Sequence, residues 1–182
     1  MVWIRIVEPM QASGELAESF RRLGAPPARL DQIILAHSER PHTLDGHMAL
    51  YKSVLHHHAN RLDKALAEAI GVRVSLINGC HYCVAHHTRG LKKALADEVQ
   101  AERWLAALES GSLEVLEPAQ AQALEYAERL TRAPDQIGPE DIEALRKAGW
   151  IDGEILEINQ VAAYFAYANR TVLGLGVEVE DQ

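Results

Sequence analysis

The chain has 182 residues, 48% of them hydrophobic and 24% charged, with a formal net charge of -8. That is the make-up of one folded domain rather than a disordered segment, and the acid excess without a Lys/Arg-rich run argues against nucleic acid or an anionic membrane as partner. No apolar run approaches the roughly 20 residues of a membrane span, and Arg5 and Glu8 stand where a signal peptide needs an apolar core, so the expected location is the cytoplasm.

In chain order, Val2 to Val7 alternates apolar and charged residues and is expected to form an extended arm over residues 1–10, of the kind that lies across a neighbouring subunit. Ser13 is placed to cap a helix whose stripe is Leu16, Phe20 and Leu23, with Gly24 to end it. Pro27 is expected to open a second helix, with Leu30, Ile33, Ile34 and His37 on one face, closed before Pro41. A third helix is predicted from about Thr43, carrying Leu44, Met48, Tyr51 and Leu55, and its end holds His56, His57 and His58. Consecutive histidines point to different helix faces, so that run reads as a solvated helix end rather than a metal cluster.

Asp63 suits the N-cap of a fourth helix lined by Leu66, Ala69, Ile70, Val74 and Ile77. Its β-branched stretch Val72 to Ile77 mimics a strand, but no partner strand is near in sequence, and it is kept helical. Asn78-Gly79 is a turn signal, and Cys80 opens the next helix. Asp97 caps another that holds Trp104 and Leu108; Pro118 starts one with Leu124, Ala127 and Leu130; Pro139 begins a short one; Asp152 is expected to cap the last, with Ile155, Ile158, Ala162, Phe165 and Asn169 in a stripe. The tail over residues 172–182 is expected to be extended. Trp3, Trp104 and Trp150 are scattered, as core packing would have them. Glu157 precedes Asn169 by the interval that separates Glu68 from Cys80, a weak hint of duplication.

The chemistry concentrates in Asn78 to Thr88, N-G-C-H-Y-C-V-A-H-H-T, which holds both cysteines of the chain. In a reducing compartment a single close pair is more often redox-active or metal-bound than structural. At about 100° per residue His87 falls between Cys80 and Cys83 in azimuth, while His86 points away toward solvent or another surface. Both cysteines lie in the first turn, where the free N–H groups favour thiolate. If the helices on either side of Asn78-Gly79 fold back, Glu68 and His87 meet at similar height and make a relay of carboxylate, imidazole and thiol. The spacing leaves open whether Glu68 joins the site or sits on a solvated helix edge, and which sulfur is the nucleophile. A zinc site lacks its customary second ligand pair, so neither metal nor cofactor is called for, and Val84 after Cys83 excludes haem attachment.

The pattern Glu68, eleven residues, Cys80-x-x-Cys83-x-x-x-His87 resembles the active-site signature of alkyl hydroperoxidase D and its relatives in the carboxymuconolactone decarboxylase-like superfamily. The stretch from Glu143 to Glu157 and the closing V-A-A-Y-F-A-Y-A-N-R-T-V-L-G-L-G-V-E resemble the branch called uncharacterised peroxidase-related enzymes. The resemblance implies an all-α, single-domain helical bundle over residues 1–182 that assembles as a homo-oligomer. It implies a thiol peroxidase reducing hydrogen peroxide or a small organic hydroperoxide, with Cys83 attacking, Cys80 resolving and His87 and Glu68 handling protons. A dithiol or thioredoxin-like reductant is the implied electron donor. Tyr82 departs from the histidine that the well-known peroxidases carry between the cysteines. A general disulfide oxidoreductase, a cysteine-independent acid/base lyase or isomerase, and a zinc-binding module are the alternative readings.

Overall fold

The computed structural model describes residues 2–26, 28 and 30–179. Over these the chain forms nine α-helices and no strand, the all-α class expected. Helix α1 (Gly14–Leu23) follows Ser13 and stops where Gly24 turns left-handed at φ 71°. Pro27, expected to open the second helix, lies outside the described residues; α2 (Gln32–Ala36) starts after Asp31. Helix α3 (Pro41–Leu55) begins at the proline itself rather than at Thr43, because proline's fixed φ and missing N–H suit the first helical position. Leu16, Phe20, Ile34, Leu35 and Leu44 join these three helices in a small apolar cluster.

Helix α4 (Lys64–Ile77) is held at its start by Asp63, whose carboxylate accepts the Leu66 N–H at 3.1 Å. Every residue from Ala65 to Ser75 is buried, which is why the β-branched stretch stays helical: tertiary packing outweighs the few tenths of a kcal/mol that separate helix propensities. The helices packed around α4 are α5 (His81–Leu95), α6 (Glu98–Ser110), α7 (Pro118–Arg132) and α9 (Asp152–Leu175), with α8 (Pro139–Lys147) bracing α7 and α9. Burying side chains such as Leu66, Ile70, Val72 and Val74 contributes roughly 1.5–3 kcal/mol each. Phe165 of α9 lies so close to Gly71 that a Cβ there would overlap its ring; the glycine lets the two helices touch.

Three expectations need correction. Asp152 is not the cap of α9: Ile151 is, its N–H donated at 3.2 Å to the Glu154 carboxylate, while Asp152 pairs with Arg146 at 2.9 Å. The tail does not begin at Val172, which is buried; that burial carries α9 on to Leu175 before Gly176 ends it, and residues 180–182 lie outside the described residues. Core packing explains Trp104, and in part Trp150, whose ring N–H donates to the Ala119 carbonyl at 2.9 Å. It does not explain Trp3, which is 74% exposed and lies against Gly176. The arm that carries Trp3 runs along its own chain, donating from the Trp3 N–H to the Leu175 carbonyl at 2.9 Å and from the Val7 N–H to Ser38 Oγ at 2.8 Å. Among the described residues no helix is long and apolar enough to cross a membrane.

Candidate active site

The turn between α4 and α5 fixes the cysteines. The Cys80 N–H donates to the Ser75 carbonyl at 2.9 Å, so the chain leaves α4 and caps α5 within five residues, and the Cys80 sulfur accepts the Cys83 N–H at 3.4 Å. Behind the turn, Asn169 of α9 is fully buried; its amide donates to Ser75 Oγ at 3.0 Å and its carbonyl accepts from the Asn78 amide at 2.9 Å. Cys80 and Cys83 are joined as a disulfide with their Cα atoms 5.4 Å apart. The interval shared with Glu157 and Asn169 serves a different purpose there: the Glu157 carboxylate accepts the N–H groups of Arg61 and Leu62 at 2.9 and 2.6 Å and ties down the loop before α4.

Glu68 and His87 meet across the hairpin. The Glu68 carboxylate lies 2.7 Å from His87 Nδ1 and its side chain is only 7% exposed. A carboxylate accepts from Nδ1–H, which leaves Nε2 as the nitrogen open to proton transfer. The His87 ring is further held edge-on to Phe165, centroids 4.4 Å apart. Gly90 makes room for the pair: a Cβ there would sit 2.5–2.8 Å from the Glu68 carboxyl atoms. That glycine, in the interior of a helix one turn beyond His87, is a signal in the sequence that spacing arguments passed over.

A cavity of about 280 Å³ opens beside this pair, lined by Cys83, Glu68 and His87 together with His47, Tyr51, His56, Tyr82, His86, Tyr164 and Phe165. Cys80, with no exposed surface, is not part of its wall. His86, expected to turn away, faces the same cavity and stacks on Tyr82 at 4.2 Å; aromatic stacking one turn apart along α5 draws it inward. His56 also belongs to the wall, whereas His57 and His58 are exposed as read from the sequence. Burial pushes the Tyr51 hydroxyl up to about 12 and raises that of Tyr164. Burial and the nearby His37 push His47 down to about 4, and burial followed by the charge of Lys64 lowers His56. These imidazoles are therefore neutral at pH 7. Among the described residues His47 Nδ1 is the buried side-chain polar atom without a hydrogen-bond partner, and no group of three or more His, Cys, Asp or Glu is arranged to hold a metal ion.

Residues 41–129 match the carboxymuconolactone decarboxylase family model. The fold resembles the alkylhydroperoxidase AhpD core of an uncharacterized peroxidase-related protein from Ralstonia eutropha JMP134, with TM-score 0.84, 22% identity and coverage of 99% of this chain and 93% of that one. A peroxidase-related protein from Silicibacter sp. TM1040 is similar at TM-score 0.84 and 23% identity, over 98% of this chain and 92% of that one. The debrominase Bmp8, in a variant bound to 2,3,4-tribromopyrrole, is similar at TM-score 0.75 and 22% identity, over 99% of this chain and 94% of that one. No curated protein matches the sequence. The family match takes in the whole α4–α5 hairpin with Glu68, Cys80, Cys83 and His87, and the solved structures share the fold of this chain across nearly its whole length.

Proposed function

We propose that the protein is a thiol peroxidase in which Cys83 is the nucleophile and Cys80 the resolving thiol. The observation that carries this reading is the unequal access of the two sulfurs: Cys83 lines the cavity with His87 and Glu68, while Cys80 is fully buried behind it. In the reduced protein His87 takes the Cys83 thiol proton at Nε2, and Glu68 stabilises the resulting imidazolium through Nδ1. The Cys83 thiolate attacks the terminal oxygen of a hydroperoxide. The O–O bond breaks, the departing alkoxide collects the proton from His87 and leaves as alcohol, and Cys83 is left as a sulfenic acid. The Cys80 sulfur then attacks the Cys83 sulfur; the S–O bond breaks, the hydroxide takes the Cys80 proton and leaves as water, and the disulfide forms. Two thiols have given two electrons to one peroxide, and an external dithiol returns them by exchange.

A dithiol that reaches into the cavity suits a disulfide with so little exposed sulfur better than one fixed on the surface of a folded reductase. The assembly of copies of this chain into a homo-oligomer is a separate proposal, tested by light scattering on the purified protein.

The test is mass spectrometry of the reduced protein after one equivalent of peroxide. The wild type is expected to lose two hydrogens. Cys80→Ser is expected to stop at a sulfenic acid on Cys83 that dimedone traps, and Cys83→Ser to leave Cys80 unreacted. Thiols that stay free in the wild type would reject the reading, and trapping on Cys80 in Cys83→Ser would reverse the roles. The likeness to the debrominase supplies the rival: the same cysteine pair delivering its electrons to a bromopyrrole. Debromination of tribromopyrrole by the reduced protein, faster than its reaction with any hydroperoxide, would favour that reading.

A further inference from the structure

The wall of the cavity draws residues from Lys64 to Glu68 on α4 and from Tyr82 to Lys93 on α5, and its two ends along that hairpin differ in charge. At one end lies Cys83. At the other are Lys64, the first residue of α4, and Lys93, in the last turn of α5, both exposed at their tips and both part of the wall. The antiparallel hairpin brings them together: Lys64 lies one turn before Glu68, and Lys93 nearly two turns after His87, so they stand on the side of the relay opposite the sulfurs. Among the described residues neither lysine forms an ion pair. The neighbouring Lys92, by contrast, is held by Glu98 and Glu102 at 3.1 and 2.6 Å. Of the two carboxylates in the cavity wall, Glu68 is bonded to His87 and Asp31 has partners of its own.

Between the two ends the wall is mostly rings and aliphatic side chains, those of Tyr51, Tyr82, Tyr164, Phe165, Ile33, Ile34 and Met48, interrupted by the imidazoles of His47, His56 and His86. A dry cavity of about 150 Å³ holds one benzene ring, and sites for larger organic ligands begin at about 300 Å³. The 280 Å³ here therefore suits one ring with a branched substituent. From Cys83 to Lys93 is about 15 Å along α5, and a flexible lysine stem, which leaves its helix tilted toward the N-terminus, can shorten that to roughly 10 Å. That is the length of a single aromatic ring carrying a reactive group at one end and a carboxylate at the other.

We infer that the substrate of this cavity is an anionic, single-ring aromatic compound, its acid group held by Lys64 and Lys93 and its reactive group directed at Cys83. The reacting end rests on the peroxidase reading; the anion end rests on the cavity alone. On that reading the hydroperoxide is reduced to the corresponding alcohol and water while Cys80 and Cys83 become the disulfide. Lys64 and Lys93 are specificity residues, which touch the ligand but not the reacting atoms.

Two measurements separate the inference from the reading beneath it. The first compares kcat/KM for cumene hydroperoxide and its 4-carboxy derivative. The acid is expected to be favoured by roughly tenfold or more in the wild type, chiefly through KM, and Lys64→Met/Lys93→Met to remove that preference. The second uses 4-isopropylbenzoate, which has no peroxide, and calorimetry on the oxidised protein. Binding is expected in the wild type, weakened about tenfold in the double variant, with 4-isopropylbenzyl alcohol a much poorer ligand. Benzoate binding without turnover of any peroxide would sink the peroxidase reading and leave the ligand class standing. Peroxide turnover with no preference for the acid, or benzoate bound equally well by the double variant, would overturn the inference. Lys64→Arg/Lys93→Arg is expected to restore part of the preference, an outcome that a merely structural role would not give.

Discussion

Replacing Gly90 with alanine sets two effects against each other. In the interior of an ordinary helix the change gains about 1 kcal/mol, because glycine is the poorer helix former. At Gly90 the new methyl would stand 2.5–2.8 Å from the carboxyl of Glu68, well inside van der Waals contact, so Glu68 must swing off His87. The hydrogen bond it gives up involves a charged group and is worth roughly 1.5–3 kcal/mol, and the carboxylate stays in a buried place with a poorer partner, which adds to the cost. The expected balance is a loss of about 1–3 kcal/mol, seen as a fall in Tm of roughly 2–12 °C for a chain of this size. The reaction should suffer more, since His87 loses the group that fixes its tautomer: a drop of about tenfold to a thousandfold in the rate of Cys83 oxidation by peroxide. Gly46→Ala is the control. That glycine is exposed in the interior of α3, and a Cβ there meets nothing within 4 Å, so only the propensity gain should remain. Thermal melts and stopped-flow thiol oxidation on both variants test the argument. A Gly90→Ala protein that melts higher than wild type and reacts at the wild-type rate would refute it.

His47 should make stability fall in acid. It titrates near 4 in the fold and near 6.5 when free, so the unfolded chain binds the proton first as the pH drops. Stability from this source is intact above about pH 6.5 and declines toward about pH 4, by up to roughly 3 kcal/mol. His47→Phe should lose that much less than wild type when urea midpoints at pH 7.5 and 4.5 are compared; equal losses would exclude His47 as the cause. Asn169→Ala removes two hydrogen bonds behind the cysteine turn, a buried one to Ser75 and a partly buried one from Asn78. It should cost about 2–4 kcal/mol in urea unfolding. Because Asn78 and Ser75 hold the turn, it should also slow disulfide formation after peroxide; unaltered closure would confine Asn169 to packing.

What the sequence discloses and what it withholds divide along a physical line. Glu68 and His87 belong to consecutive helices joined by a three-residue turn, and a rise of 1.5 Å per residue converts their distances from that turn into matching heights. The capping carboxylates of Asp63 and Asp97 are legible for a similar reason, since a cap acts within its own first turn. The cavity follows no such rule. The walls that face the α4–α5 hairpin come from α2, α3 and α9, and the azimuth at which a distant helix crosses α4 is decided by how side chains interdigitate, not by any interval along the chain. Tyr51 and Phe165 were readable as members of apolar stripes, yet a stripe does not say whether its neighbour is a leucine or an open space. The glycines are where the two kinds of information meet. Gly46, Gly71 and Gly90 all stand in helix interiors, each at a cost of about 1 kcal/mol in helix preference, and the sequence alone does not say which of them makes room for a neighbour. At Gly71 the occupant is Phe165 and at Gly90 it is Glu68, while at Gly46 there is none, so it takes the packed structure to single out the two glycines that mark the aromatic wall of the cavity and the acid of its relay.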